Sequence, residues 1–248
     1  EEAKTMPKLK LGRKAKAKEE PEAAPAAEEE APPVVAAEET PPARPALREY
    51  RTALEDVLPQ YSALRAQNED LVGWLQIEGT VIDYPVMYTP EDQNLYLHLD
   101  FYGNASDLGT LFIATPWYES HTIIYGHNMR NGSMFGSLPQ YTSPDFYKTH
   151  SIIHFDTMTE TGTYEILACF LGQIMDQETA ERENGFLYWT YLDLGTEEFF
   201  DAYISQVKAR ALYETGVEAS FGDEILTLST CYYHVTDGRL VIVAKRID

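Results

Sequence analysis

The chain has 248 residues, 44% of them hydrophobic and 12% aromatic, which is enough for one sizeable domain plus a tail or for two small domains. Most of its net charge of −21 lies after residue 47, where 30 acidic residues stand against 11 basic ones. A nucleic-acid surface needs clustered basic side chains that displace counterions, so this charge argues against a nucleic-acid partner. No stretch reaches the roughly 20 apolar residues of a membrane helix.

The first 46 residues differ in composition from the rest. Residues 1–47 hold 8 of the 14 prolines, and no aromatic residue precedes Tyr50. Such a segment buries too little apolar surface to offset the entropy of ordering, so we predict a disordered linker rich in proline, alanine and glutamate over 1–46. Because the chain begins with Glu1, we expect a missing upstream segment that anchors it to a membrane. The basic run at 8–18 suits a spacer beside such an anchor, and equally an ordinary polar linker.

The remaining residues, 47–248, are predicted to form one mainly β domain. Apolar residues at helical spacing predict helices within 47–67, interrupted at Pro59. A later segment, Thr196–Tyr213, has a Thr cap, an acidic first turn and one apolar face, which predicts an amphipathic helix. Over 68–248, short segments rich in β-branched and aromatic residues predict eight strands: Gly73–Ile77, Val81–Val86, Thr110–Ala114, Thr122–Tyr125, Ile152–Phe155, Tyr164–Leu171, Ile225–Ser229 and Leu240–Ala244. Eight short strands with few helices favour a closed β-barrel or a sandwich, with the helices of 47–67 outside it.

The two cysteines, Cys169 and Cys231, are too few for a disulfide framework or a structural zinc site. Cys169 lies in the apolar run Ile166–Leu171 and is predicted to be a buried core residue. Cys231 follows the strand Ile225–Ser229, at an end where a side chain can face solvent. A thiol there is a useful nucleophile only if the protein stabilises its thiolate or places a proton acceptor beside it.

Arg239 and His127 are the candidate partners of Cys231. The intervening Tyr232–Gly238 has the length of a hairpin loop, which sets Arg239 opposite Cys231 on an adjacent antiparallel strand. A guanidinium in that position can hold a thiolate or the oxyanion of a tetrahedral intermediate. His127 comes directly after the strand Thr122–Tyr125 and one glycine, so it also lies at a strand end.

Five other histidines compete for the role of proton carrier. We interpret His98 and His154 as structural residues and place His121 and His150 in turns. His234 forms a C-x-x-H pair with Cys231, but two ligands without a second pair make a poor zinc site. We therefore expect neither a metal nor another cofactor. On spacing alone, a Cys/His enzyme and a buried structural thiol both stay open.

Three motifs, in order along the chain, resemble the sortase family of cysteine transpeptidases. Thr227–Cys231 (TLSTC) resembles the TLxTC signature, and Arg239 resembles the arginine that follows it. Ile124–Met129 (IYGHNM) with Gly132–Gly136 (GSMFG) resembles the histidine segment of class B sortases. Other segments similar to that class are Val72–Leu75 (VGWL), Ile82–Val86 (IDYPV) and Gly109–Phe112 (GTLF). The resemblance extends from about Leu47 to the C-terminus.

This resemblance implies an eight-stranded sortase-type β-barrel with N-terminal helices and one helix in a late insertion, so that 47–248 is the catalytic domain. It implies that Cys231 attacks a backbone carbonyl in the C-terminal sorting motif of a secreted protein and forms a thioacyl intermediate. An amine of a cell-wall precursor or a pilin lysine would release that intermediate. His127 would exchange protons with the leaving and incoming amines, and Arg239 would stabilise the oxyanion. The enzyme would lie on the extracytoplasmic face of a Gram-positive membrane.

The resemblance also implies a substrate groove in which Ser229 and Thr230 flank the nucleophile. Asn94 would form the far wall, and a lid within 173–213 would contribute Leu187, Tyr188 and Tyr191. Aromatics packed in a helical insertion explain the last three equally well.

Two features depart from the class B pattern. The loop Ala114–His121 (ATPWYESH) is shorter than in class B relatives and lacks their Asp and Asn. Tyr232 stands where several relatives carry an acidic residue. Asp237 is interpreted as a turn residue before Gly238 and not as an orienting carboxylate for His127.

Two other functions stay open on the sequence. A hydrolytic cysteine peptidase would share the cysteine and the histidine but would need no arginine and no amine acceptor. A non-catalytic surface barrel that only binds or scaffolds would need none of the three residues.

Overall fold

The structure, a computed structural model, describes residues 54–248. The predicted linker at 1–46 and most of the first predicted helix lie outside the described residues. The first described elements are a 3-10 turn, Leu54–Asp56, and a single-turn helix α1, Ser62–Arg65. Helix α1 covers only part of the helix predicted between Pro59 and residue 67, and no side chain caps its N-terminus. Val57 between the two is buried against the sheet.

Eight strands form the body of the domain, and each predicted strand overlaps one of them. They close into a barrel in the order β1-β2-β3-β4-β7-β8-β6-β5, which confirms the predicted fold. Their bounds are β1 Leu71–Gln76, β2 Asp83–Tyr88, β3 Leu111–Ile113, β4 His121–Tyr125, β5 Ile152–Thr157, β6 Thr163–Gln173, β7 Ile225–Cys231 and β8 Gly238–Arg246. The pairs β2·β3 and β4·β7 are parallel, and the other neighbouring pairs are antiparallel.

Strand β7 is buried on both faces over its first six residues. Leu226 and Leu228 point into the barrel core, where Cys169 also lies. Ile225, on the opposite face, packs in a second apolar cluster with residues of the insertion between β6 and β7. Because side chains alternate along a strand, Thr227, Ser229 and Cys231 share that outer face.

The β6–β7 insertion contains three elements. They are α3, Gln177–Glu183, a 3-10 turn, Tyr188–Thr190, and α4, Glu197–Arg210. Helix α4 confirms the predicted amphipathic helix: Thr196 is its N-cap and accepts a hydrogen bond from the Phe199 amide, although the helix ends at Arg210 rather than Tyr213. Helix α3 and the 3-10 turn were not predicted, and neither was α2, Pro144–Thr149. All three are too short to show a helical period in the sequence.

Two interpretations of single residues have opposite outcomes. Cys169 is fully buried, as predicted, and burial raises the pKa of its thiol to about 12. The placement of His121 in a turn was wrong, because His121 is the first residue of β4 and only 2% exposed. Its parallel pairing with Ile225 of β7 extends the strand beyond the β-branched run that was used to predict it.

Candidate active site

Cys231 and Arg239 lie directly opposite each other at the loop end of the β7–β8 hairpin. Cross-strand partners in an antiparallel pair project on the same face of the sheet with Cβ atoms roughly 4.5–5.5 Å apart. Cys231 is half-buried and has no disulfide. The Arg239 residue is only 7% exposed, so its guanidinium lies in a partly dehydrated setting where its charge acts strongly.

Hydrogen bonds from the residues on either side of His127 tie its segment to the same end of β7. Before it, Gly126 donates from its amide to the Ser229 carbonyl (3.3 Å) and accepts from the Thr230 hydroxyl (2.7 Å). After it, the Asn128 side-chain amide donates to the Cys231 carbonyl (2.8 Å). The structure therefore brings the backbones of Cys231, Arg239 and His127 to one end of the barrel.

The orientation of the His127 ring is set by a backbone carbonyl from outside the sheet. Its Nε2 atom lies 2.9 Å from the carbonyl oxygen of Leu97, in the 3-10 turn before β3. A carbonyl only accepts, so Nε2 carries a hydrogen and Nδ1 is the ring atom whose protonation can change. The loop after His127 is closed by a hydrogen bond from the Phe135 amide to the His127 carbonyl (2.9 Å).

Gly126 is required by close packing. A Cβ at this position would collide with the side chains of Leu111 and Phe135, so only glycine lets the chain pass between them on its way to His127.

The phenol of Tyr125 is a site residue that the sequence reasoning missed. Its hydroxyl is buried and has no hydrogen-bond partner among the described residues. Burial raises the pKa of Tyr125 well above its ordinary value, the nearby phenol of Tyr188 raises it further, and the charge of Arg239 acts in the opposite direction. The signal was available, because Tyr125 stands within the same Tyr-Gly-His-Asn motif that identified His127.

The two predicted neighbours of the nucleophile have different surroundings. Ser229 lies on the outer face of β7, and its hydroxyl is 2.7 Å from the Tyr188 hydroxyl of the insertion. Thr230 lies on the opposite face, and its buried hydroxyl holds the Gly126 carbonyl. Tyr188 therefore contacts β7 two residues before Cys231. Thr230 supports the segment that carries His127.

The other predicted substrate residues lie farther from the nucleophile. Asn94 is exposed and precedes the 3-10 turn whose Leu97 carbonyl contacts His127. Leu187 and Tyr191 line a depression of about 380 Å³ between α3 and α4. Tyr191 packs there on Phe186 and Phe199.

Within residues 54–248, no group of three or more metal-ligating side chains comes together. In the same part of the chain, no helix has the length and apolar character needed to cross a bilayer.

Comparison with known proteins shows which family has this fold and these motifs. The family model for the sortase domain matches residues 75–247. The chain belongs to the sortase family. Among curated relatives it is 31% identical to sortase B of Listeria monocytogenes over 198 residues, covering 77% of this chain and 76% of the relative. It is 29% identical to sortase B of Staphylococcus aureus over 199 residues, covering 78% and 77%.

Solved structures of sortase B have the same fold as this chain. The Staphylococcus aureus sortase B–substrate complex aligns with a TM-score of 0.66 at 28% identity, over 77% of this chain and 86% of that one. Bacillus anthracis sortase B in complex with AAEK1 aligns with a TM-score of 0.65 at 28% identity, over 81% and 88%. The class B resemblance drawn from the motifs is therefore confirmed, and the chain is a cysteine transpeptidase.

Proposed function

We propose that this sortase cleaves a sorting motif in secreted proteins with Cys231 as nucleophile, His127 as acid and base, and Arg239 as stabiliser of the oxyanion. The observation that carries the proposal is the register pairing of Cys231 with Arg239, while Asn128 bonds the His127 segment to the Cys231 carbonyl. A structural thiol needs neither neighbour, and Cys169 in the core has no such arrangement.

In the first half-reaction the Cys231 thiolate attacks the scissile carbonyl carbon, and the oxygen becomes an oxyanion. Arg239, permanently charged and largely shielded from water, donates hydrogen bonds to that oxygen. The carbon–nitrogen bond then breaks, and the proton on Nδ1 of His127 goes to the leaving nitrogen. The products are a thioacyl-enzyme and the released amine fragment.

In the second half-reaction an amine attacks the thioacyl carbon and gives its proton back to Nδ1 of His127. The carbon–sulfur bond breaks and the Cys231 thiolate is regenerated. The hydrogen bond from Nε2 to the Leu97 carbonyl persists through both steps and keeps Nδ1 in a constant direction.

The sorting-motif peptide binds, in this proposal, at the end of β7 beside Cys231, and the buried side chains of Ser229 and Tyr188 support the wall of the groove there. Asn94 forms the far wall of the groove, and Leu187 and Tyr191 line the lid. Thr230 acts beside the nucleophile by holding the Gly126 carbonyl, which its hydroxyl contacts. The acceptor is an amine of a cell-wall precursor or a pilin lysine.

The proposal extends to the place of the enzyme in the cell. In this proposal the domain acts at the extracytoplasmic face of a Gram-positive membrane. Both sortase B relatives named above come from Gram-positive bacteria, which supports this location.

The test is mass spectrometry of the enzyme after incubation with a library of sorting-motif peptides. We expect one acyl adduct, mapped to Cys231, whose mass gives the residues before the cleaved bond. With a glycine-type amine present, the adduct is replaced by a ligated peptide. If the peptide is only hydrolysed, whichever acceptor amine is added, the result would contradict transpeptidation and favour the peptidase. If no adduct forms at all, the result would favour a barrel that only binds.

Asn128 provides a separate prediction about the geometry of the site. In Asn128→Ala the His127 segment loses its bond to the Cys231 carbonyl, and we expect kcat to fall about tenfold with KM nearly unchanged. Asn128→Asp should show the same loss, because a carboxylate of equal size accepts and cannot donate to a carbonyl. Asn104→Ala is the control, since the side-chain amide of Asn104 is exposed and donates to the Asp100 carboxylate within its own loop. Equal kcat in wild type, Asn128→Ala, Asn128→Asp and Asn104→Ala would show that the bond from Asn128 to the Cys231 carbonyl has no part in catalysis.

A further inference from the structure

His121 connects the barrel to the insertion through both of its ring nitrogens. Nδ1 is 2.6 Å from the carbonyl oxygen of Tyr191, just after the insertion's 3-10 turn. Nε2 is 2.8 Å from the Thr227 hydroxyl on β7. The Thr227 hydroxyl is also 2.8 Å from the Tyr203 hydroxyl of α4. One buried imidazole therefore joins two barrel strands to two parts of the insertion.

The partners determine which hydrogens the ring carries. Because the Tyr191 carbonyl only accepts, Nδ1 must donate. In the neutral ring Nε2 then accepts from the Thr227 hydroxyl, and the Thr227 oxygen accepts in turn from Tyr203. The hydrogen bonds run in one direction from Tyr203 through Thr227 and His121 to Tyr191, and each of these groups is satisfied. Burial lowers the pKa of His121 to about 4, although the hydrogen bond to Tyr191 raises it, so the ring is neutral at pH 7.

A second contact from the neighbouring residue reinforces the connection. The Ser120 hydroxyl donates to the Asp193 carboxylate (3.2 Å) and accepts from the Leu194 amide (2.9 Å). Residues 186–194, which we call the aromatic segment, are thus attached to the start of β4 at Tyr191, Asp193 and Leu194. At its other side this segment carries Tyr188, whose hydroxyl contacts Ser229.

Apart from the Tyr191 carbonyl, which accepts from Nδ1, the groups around the ring do not favour a cation. The Tyr203 ring from α4 lies 4.9 Å away, centroid to centroid. Thr227 comes from β7 and the Tyr191 carbonyl from the aromatic segment, while the one carboxylate of this connection, Asp193, is bound to Ser120. A proton on Nε2 would force the Thr227 hydroxyl to turn its hydrogen away and would place a charge among aromatic rings.

We propose that His121 is a positioning residue for transpeptidation, which as a neutral imidazole holds the aromatic segment, and with it Tyr188, against β7 beside Cys231. The expected effect on the kinetics of transpeptidation rests on the proposed function. The attachment of the aromatic segment to the barrel by His121 does not. Since the ring has a depressed pKa when attached and an ordinary one near 6.5 when released, attachment is strongest above pH 6.5. It weakens as the pH falls from 6.5 toward about 4.

The test compares wild type with His121→Gln, Thr227→Val and Tyr203→Phe, the last of which removes a single oxygen atom. We expect KM for the sorting peptide to rise about tenfold in His121→Gln and Thr227→Val, with a smaller rise in Tyr203→Phe and kcat within about threefold throughout. Alkylation of Cys231 by iodoacetamide should keep its wild-type rate. His154→Gln on β5, far around the barrel from β4, is the matched histidine control and should behave as wild type.

Amide hydrogen exchange reports the attachment without any substrate. Protection of residues 186–194 should decrease in wild type between pH 7 and pH 5, and should be low and independent of pH in His121→Gln. Unchanged protection and unchanged KM in the variants would overturn the inference. If wild type shows no turnover, the proposed function fails while the exchange result still decides whether His121 holds the segment. If His121→Gln does not fold, Tyr203→Phe decides by the same two measurements.

Discussion

Cys231→Ala is expected to abolish transpeptidation, with a fall in kcat/KM of at least about 10⁴-fold, because no thioacyl intermediate can form without the sulfur. The fold should be unaffected, since Cys231 is half-buried at a strand end and a smaller side chain leaves no closed cavity there. The measurement is peptide ligation followed by chromatography, with mass spectrometry to establish that no acyl adduct accumulates.

Cys169 supplies a matched control within the same chain. Cys169→Ala removes a sulfur from the barrel core and should lower the free energy of unfolding by about 1–2 kcal/mol while leaving kcat/KM within about twofold. Iodoacetamide should label Cys231 alone in the folded wild type, because burial keeps the Cys169 thiol protonated and inaccessible. Ligation by Cys231→Ala, or its loss in a folded Cys169→Ala, would contradict the assignment of the nucleophile.

Arg239 is expected to have the second largest effect. Arg239→Ala should reduce kcat by about 10²–10³-fold, the usual loss when one donor to an oxyanion is removed. Arg239→Lys should recover only part of this loss, because an ammonium keeps the charge but lacks the planar donor fork that reaches across from β8. The rate of thioacyl formation, measured in a single turnover, is the relevant quantity, since the oxyanion forms in that step.

The control for Arg239 lies at the other end of the same strand. Arg246 bonds to Glu224, Glu160 and Asp248 at the end of β8 that lies away from the candidate site. Arg246→Lys should therefore lower the melting temperature and leave the single-turnover rate at its wild-type value. An equal rate loss in Arg239→Lys and Arg246→Lys would mean that Arg239 acts through stability and has no part in the chemistry.

Local patterns in the sequence were sufficient for the eight strands, whereas the choice of a closed barrel and the site motifs came from the resemblance to sortases. The eight strands could be predicted because each is a short β-branched or aromatic run between turn residues, and that information lies within a few neighbours. The opposition of Cys231 and Arg239 followed from the length of one hairpin loop. Cys169 could be assigned to the core because apolar residues surround it in the chain.

Contacts between distant segments were accessible only in three dimensions. The bond between His121 and Thr227 spans 106 residues, that between Tyr188 and Ser229 spans 41, and that between His127 and Leu97 spans 30. No hydrophobic periodicity in the sequence predicts these pairs, because each pair depends on the order of the strands around the barrel and on where the insertion packs against it. For the same reason His121 looked like a turn residue in the chain, whereas parallel pairing with β7 makes it a buried strand residue that joins the insertion to the barrel.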